Sequence, residues 1–97
     1  MKKKITTPLE LMVSRYEAFV NHDWEYLAKT SLTQSVEELE ESAEIVWLGL
    51  EVVDSYDNIV EFKARYRVEN KEYILHEKSS FIKINGSWVY SDGVFLE

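Results

Sequence analysis

Ninety-seven residues with a net charge of −7, no cysteine and 45% hydrophobic side chains describe one folded domain with a modest core. The missing cysteines exclude disulfides, thiolate metal sites and thiol nucleophiles, and they fit a reducing, cytoplasmic setting. The acidic balance argues against nonspecific nucleic-acid binding, which depends on neutralising phosphates, and no apolar run is long enough to span a membrane.

In chain order, Met1-Lys2-Lys3-Lys4 has the charge of a signal-peptide start, but Thr6, Thr7, Pro8, Glu10 and Arg15 interrupt any apolar run behind it. Thr7-Pro8-Leu9-Glu10 is a helix start, with Thr7 as cap, Pro8 at the first position and Glu10 closing a capping box. Leu9, Met12, Val13, Tyr16, Phe19 and Val20 then form one stripe at helical spacing, so the helix is expected to run to about Asn21. Asp23 caps a short second helix with Trp24, Tyr26 and Leu27. Ser35, with Glu38 three residues on, caps a third through Val36, Leu39 and Ala43. The glutamates from Glu37 to Glu44 read as a solvated helix face with no metal-ligand spacing, and His22 reads as an exposed loop residue. Arg15 sits on the shoulder of the first apolar stripe, where a guanidinium either snorkels outward or reaches a buried carboxylate.

Residues 45–53 are rich in apolar and β-branched side chains and read as a first strand, with Leu48, Leu50 and Val52 facing the core and Trp47 opposite. Asp57-Asn58 turns the chain into a second strand of clean alternation. Its Val60, Phe62, Ala64, Tyr66 and Val68 point one way, and Glu61, Lys63, Arg65 and Arg67 point the other. A two-residue loop at Asn70-Lys71 would pair Tyr66 with Leu75, Ala64 with Glu77 and Phe62 with Ser79. On the outer side it would set Arg65 against His76 and Lys63 against Lys78. The Asn85-Gly86 turn, whose type needs φ > 0 at both residues, pairs Lys83 with Trp88, Phe81 with Tyr90 and Ser79 with Asp92. A bulge would spoil that count, and its expected place is near Lys83. The expected architecture is α+β: three N-terminal helices, then a four-stranded antiparallel meander whose apolar face the first helix covers. Glu77, Ser79 and Asp92 interrupt that face. A lone buried carboxylate is costly, so each must pair, be protonated or open onto a wet pocket.

Four blocks carry a resemblance: LELMVSRYEAFV, EIVWLGLEV, HEKSSF and NGSWVYSDG. They resemble the middle domain of the YchJ-type bacterial proteins, in family order, from about residue 7 to residue 93. The resemblance implies the nuclear transport factor 2-like cone, a curved sheet wrapping a helix around a cavity. Arg15, Tyr16, Glu77, Ser80, Trp88, Tyr90, Asp92 and Gly93 match the family pattern, whereas Val13 and Ser31 replace an arginine and a tryptophan. Full-length relatives flank the domain with cysteine-rich SEC-C zinc motifs, which a chain without cysteine does not carry.

Three functions follow as expectations. The first is a noncatalytic pocket for a small molecule, or a homodimerising interaction module, without cofactor or metal. Its cavity would be lined by Arg15, Tyr16, Phe62, Tyr66, Glu77, Ser79, Phe81, Tyr90 and Asp92. The second is a small isomerase or hydrolase with Glu77 or Asp92 as general base and Tyr90 or Tyr16 as donor. His76 and Glu77 are strand neighbours on opposite faces and make no dyad. The third is an interaction surface on the outer sheet face, built on Lys63, Arg65, Arg67 and Lys78, with Trp47 and Val89 tipping it toward an apolar interface. Arg15 and Glu77 are expected to form a charged pair at the inner end of the cavity, with Asp92 close by.

Overall fold

The computed structural model describes residues 5–96, so the basic start at Met1-Lys4 lies outside the described residues. Helix α1 (Pro8–Asn21) begins with the expected capping box, in which Thr7 and Glu10 satisfy each other's backbone N–H groups. It ends at His22, whose left-handed φ of 57° lets its N–H reach the carbonyls of Ala18 and Phe19. Short helices α2 (Trp24–Lys29) and α3 (Val36–Glu40) follow, capped by Asp23 and Ser35. Among the described residues, no helix is long and apolar enough to cross a membrane.

Strands β1 (Val46–Tyr56), β2 (Ile59–Val68), β3 (Lys71–Ile84) and β4 (Ser87–Phe95) form one antiparallel sheet in sequence order. Leu11 and Met12 of α1 bury against Val60 and Phe81 of the sheet, which makes one core cluster. Ala18, Leu27 and Leu39 make a second cluster among the helices. Each burial of a large apolar side chain contributes about 1.5–3 kcal/mol, and together they fix α1 across the inner face.

The β3–β4 turn is as expected, with Asn85 at φ 50°, Gly86 at φ 84° and the pairs Lys83–Trp88 and Phe81–Tyr90. Beyond Tyr90 the register shifts, and Ser79 pairs with Gly93 rather than Asp92, which faces Ser80. The extra residue is Ser91, not one near Lys83. Lys83 instead lies over the Trp88 ring at the rim, 5.5 Å from its centroid.

The β2–β3 register also differs from expectation. The loop is Glu69-Asn70, with Glu69 left-handed at φ 57°, so Tyr66 meets Tyr73, Ala64 meets Leu75, Phe62 meets Glu77 and Val60 meets Ser79. Moving the loop by one residue changes every pairing by two, which leaves the faces intact. On the outer side Lys63 meets His76 and Glu61 meets Lys78, so the anticipated basic stripe is broken by Glu61, bonded to His76 Nε2 at 2.7 Å.

Strand β1 carries the third correction. A shift at Leu48 puts Trp47 opposite Tyr66 on the inner face, and Leu50 and Val52 opposite Ala64 and Phe62. Trp47 is therefore no part of an outer apolar surface. A second shift lies at Val53. Extra residues in the two flanking strands raise local twist and curl the sheet edges around α1.

Candidate functional site

A cavity of about 250 Å³ opens between α1 and the inner face of the sheet. Of the residues expected there, Arg15, Tyr16, Phe62, Glu77, Ser79, Phe81 and Tyr90 line it. Tyr66 does not: its ring stacks on Tyr73 and leans on Trp47, behind the wall. Asp92 does not either, because the Ser91 bulge turns it to the exposed outer side, where Oδ1 accepts from the Gly93 N–H at 2.8 Å.

The polar end of the cavity is built around Glu77, only 7% exposed. Its Oε2 accepts from Ser79 Oγ at 2.6 Å and from the Tyr90 hydroxyl at 3.1 Å. The strand pairing explains this convergence: Glu77 and Ser79 share the inner face of β3, and Gly93 lies opposite Ser79. Gly93 makes the arrangement possible, since a Cβ there would collide with the Glu77 carboxylate and stand 2.6 Å from the Tyr90 oxygen. Oε1 accepts from no described residue, yet it is not a buried orphan, so it keeps accessible surface on the cavity side.

Arg15, 6% exposed, enters from α1. No described carboxylate comes within ion-pairing distance, so the expected direct pair with Glu77 does not form. Instead the guanidinium donates to the Leu27 carbonyl, Thr30 Oγ1 and Gln34 Oε1, each at 2.7 Å. Its Cζ lies 5.0 Å from the Tyr90 ring centroid, so that ring touches both charged groups. Burial lowers the Arg15 pKa to about 10, against the opposing fields of Tyr90, Tyr26 and Glu77. Burial first, then the Glu77 charge and hydrogen bond, raises that of Tyr90, so its phenol stays protonated. Burial also raises that of Tyr16.

The segment after α2 closes this end from outside. Tyr90 donates its N–H to the Thr30 carbonyl at 2.7 Å, and its own carbonyl accepts from the Leu32 N–H at 3.0 Å. The bridge occupies backbone groups that would otherwise be exposed along the free edge of β4. It also brings Gln34 over Arg15.

Residues 7–93 match the family described as YchJ, middle NTF2-like domain. The chain belongs to this family. Similar relatives include a UPF0225 protein of Vibrio parahaemolyticus, 38% identical over 96% of this chain and 62% of its own length. Another, from Streptomyces coelicolor, is 39% identical over 90% of this chain and 73% of its own. The YchJ-type chain here thus spans less than two thirds of the Vibrio protein. Among solved structures, a SEC-C motif containing protein from Rhodopseudomonas palustris superposes with a TM-score of 0.84 at 29% identity, covering 98% of this chain and 83% of that one. One from Psychrobacter arcticus gives 0.75 at 32%, covering 100% and 62%.

Sequence reasoning missed Met12, Phe19, Gln34, Trp47, Ala64, Leu75 and Phe95 in the wall of this YchJ-type cavity. Met12 and Leu75 were legible in principle, since each sits on the apolar face already assigned to its element. Trp47 and Phe95 depend on bulges, and Gln34 on the docking of a loop, so no local pattern marks them. Among the described residues no group of three His, Asp or Glu side chains gathers as metal ligands.

Proposed function

We propose that this domain is a noncatalytic binding module that takes a small organic molecule between α1 and the inner sheet face. The observation that carries the reading is Glu77: a carboxylate buried in a mainly aromatic cavity, with one oxygen engaged twice and the other free of any described partner. Leaving a polar atom so placed is costly unless water or a ligand meets it. The cavity is at the small end for ligand sites, which commonly run ~300–1,000 Å³, so the occupant is correspondingly small.

An enzyme using Glu77 as base and Tyr90 as acid is the less favoured reading. The Tyr90 hydroxyl already donates to Glu77, so the acid and base are closed on each other, and Asp92 does not line the cavity to serve as the second carboxylate. Self-association through the outer sheet face has one feature in its favour, the exposed Ile74 and Val94. Sedimentation tests that separately.

The pocket reading is tested by titrating fragment mixtures into isotope-labelled protein and following backbone amides. Shifts confined to Arg15, Gln34, Trp47, Glu77 and Tyr90 are expected. Shifts restricted to the outer strand faces, or none with any fragment, overturn it.

A further inference from the structure

We infer that the cavity selects a neutral, planar heterocycle carrying a ring N–H beside a ring carbonyl, that is, a cyclic amide. The inference rests on the pocket reading above and names its ligand class.

The open hydrogen-bonding groups at the inner end decide the chemistry. Glu77 Oε1 is an acceptor without a described partner. An arginine has five N–H donors, and Arg15 makes three bonds to described residues, two from Nη1 and one from Nη2, leaving two donors unengaged by them. The Gln34 side chain accepts from Arg15 through Oε1, and its amide N–H₂, in the same wall, makes no bond to a described residue. The end wall therefore offers one acceptor and several donors.

Charge then narrows the class. An anionic ligand would meet the Arg15 donors but bring its charge against Glu77; a cationic one would meet Glu77 but face Arg15. In an aromatic enclosure of low effective dielectric, either unbalanced approach is penalised more than in water. A neutral group that donates to Oε1 and accepts from the arginine side satisfies both without adding charge. A cyclic amide places that donor and acceptor on adjacent atoms of one rigid ring.

The walls supply the planarity. Tyr16, Phe62, Phe81 and Trp47 flank the space, and Trp47 is held edge-on to Tyr16, with centroids 6.1 Å apart. Trp47 is braced by the tilted ring of Tyr66 at 5.3 Å, and Tyr66 by the stacked ring of Tyr73 at 5.3 Å, so the wall is a packed aromatic row. Such walls reward a flat ring over a flexible chain of equal volume, which would lose more rotamer freedom on entry.

The test compares matched probes on the wild-type protein by amide-shift titration. Quinazolinone carries the ring N–H and carbonyl, methoxyquinazoline lacks the donor, and naphthoate and naphthamidine carry opposite charges on a similar flat frame. Quinazolinone is expected to shift the Glu77 and Trp47 amides and to bind at least tenfold tighter than the other three. Glu77→Gln, which keeps shape but replaces the free acceptor, should remove most of that preference; Gln34→Ala, away from the carboxylate, should weaken the lactam by a few fold. If naphthoate or naphthamidine binds in the cavity more tightly than quinazolinone, the lactam assignment is overturned while the pocket reading stands. If methoxyquinazoline equals quinazolinone, the Glu77 contact is refuted. If no probe shifts a cavity amide, both readings fall.

Discussion

Between Phe81 and Ser87 the β3–β4 hairpin follows from its turn, whereas beyond Tyr90 it follows from a bulge. The turn end has two left-handed residues, Asn85 and Gly86, and pairs by simple counting. The open end gains one residue at Ser91, which trades Asp92 for Gly93 on the inner face. That exchange makes the site: a carboxylate in place of Gly93 would repel Glu77, and any side chain would displace it. The two ends share a strand pair but differ in what fixes them. One is fixed by local φ/ψ chemistry, the other by a neighbouring segment that claims the Tyr90 backbone.

The largest expected effect tests that neighbouring segment. Arg15→Ala removes the bonds to Leu27, Thr30 and Gln34 that hold the segment against β4. It should cost about 3 kcal/mol in urea unfolding, since the lost charge-assisted bonds leave a buried carbonyl and outweigh the relief of a desolvated cation. A cost under ~1 kcal/mol would mean that the guanidinium swings out to solvent and that the bulge needs no such support.

The two glycines compare the ends directly. Gly93→Ala should cost about 2 kcal/mol, because Glu77 must leave its bonds to Ser79 and Tyr90. Gly86→Ala should cost about 1 kcal/mol, purely from a left-handed backbone, since no atom lies within 4 Å of the added Cβ. Only the Gly93 variant should also shift the Tyr90 and Glu77 resonances. Equal costs with no shift at Glu77 would place Gly93 elsewhere.

The difference between the two ends is also the limit of what the sequence made legible. Face parity in β2 and β3 is a period-two property, so alternation puts Leu75, Glu77, Ser79 and Phe81 on the inner side even with the loop placed one residue off. Caps and the Asn-Gly turn are local chemistry and read equally well. Bulges are not local. Leu48 and Ser91 look like any strand residue, yet one turns Trp47 inward and the other turns Asp92 outward. Arg15 was placed correctly beside the apolar stripe, but its partners sit on α2 and the loop behind it, where helical phase gives no guide.

A pH measurement sharpens the boundary residue. The Tyr90 pKa is raised in the folded state, so the folded chain keeps a proton that the unfolded chain gives up above about pH 10. Stability from this group is complete below that pH and falls above it, by at most about 1.4 kcal/mol per unit. Arg15, whose pKa is lowered, has the opposite slope, and loss of the Tyr90 field in Tyr90→Phe lowers it further, which adds to the expected difference between wild type and variant. Wild type should lose stability faster than the variant between pH 10 and 11, and tyrosinate absorbance there should be the same in both. A drop in tyrosinate signal on Tyr90→Phe would show that the phenol ionises normally and is not held by Glu77.

Asp92 should show the smallest effect, and its smallness is the point. It matches the family pattern and lies one residue from Gly93, so simple alternation puts its carboxylate beside Ser79 and near Glu77. In the bulged register it is exposed, pairs with Ser80 and, among the described residues, accepts only from the adjacent Gly93 N–H. Asp92→Ala should therefore change stability by less than ~0.5 kcal/mol and leave the Glu77 resonances in place. The unbulged alternative predicts a larger change of either sign, since removing an inward carboxylate would relieve repulsion with Glu77 or strand its hydrogen-bond partners. A double-mutant cycle with Glu77→Gln separates the two, with additivity expected for groups on opposite faces and a coupling above ~0.5 kcal/mol returning Asp92 to the cavity.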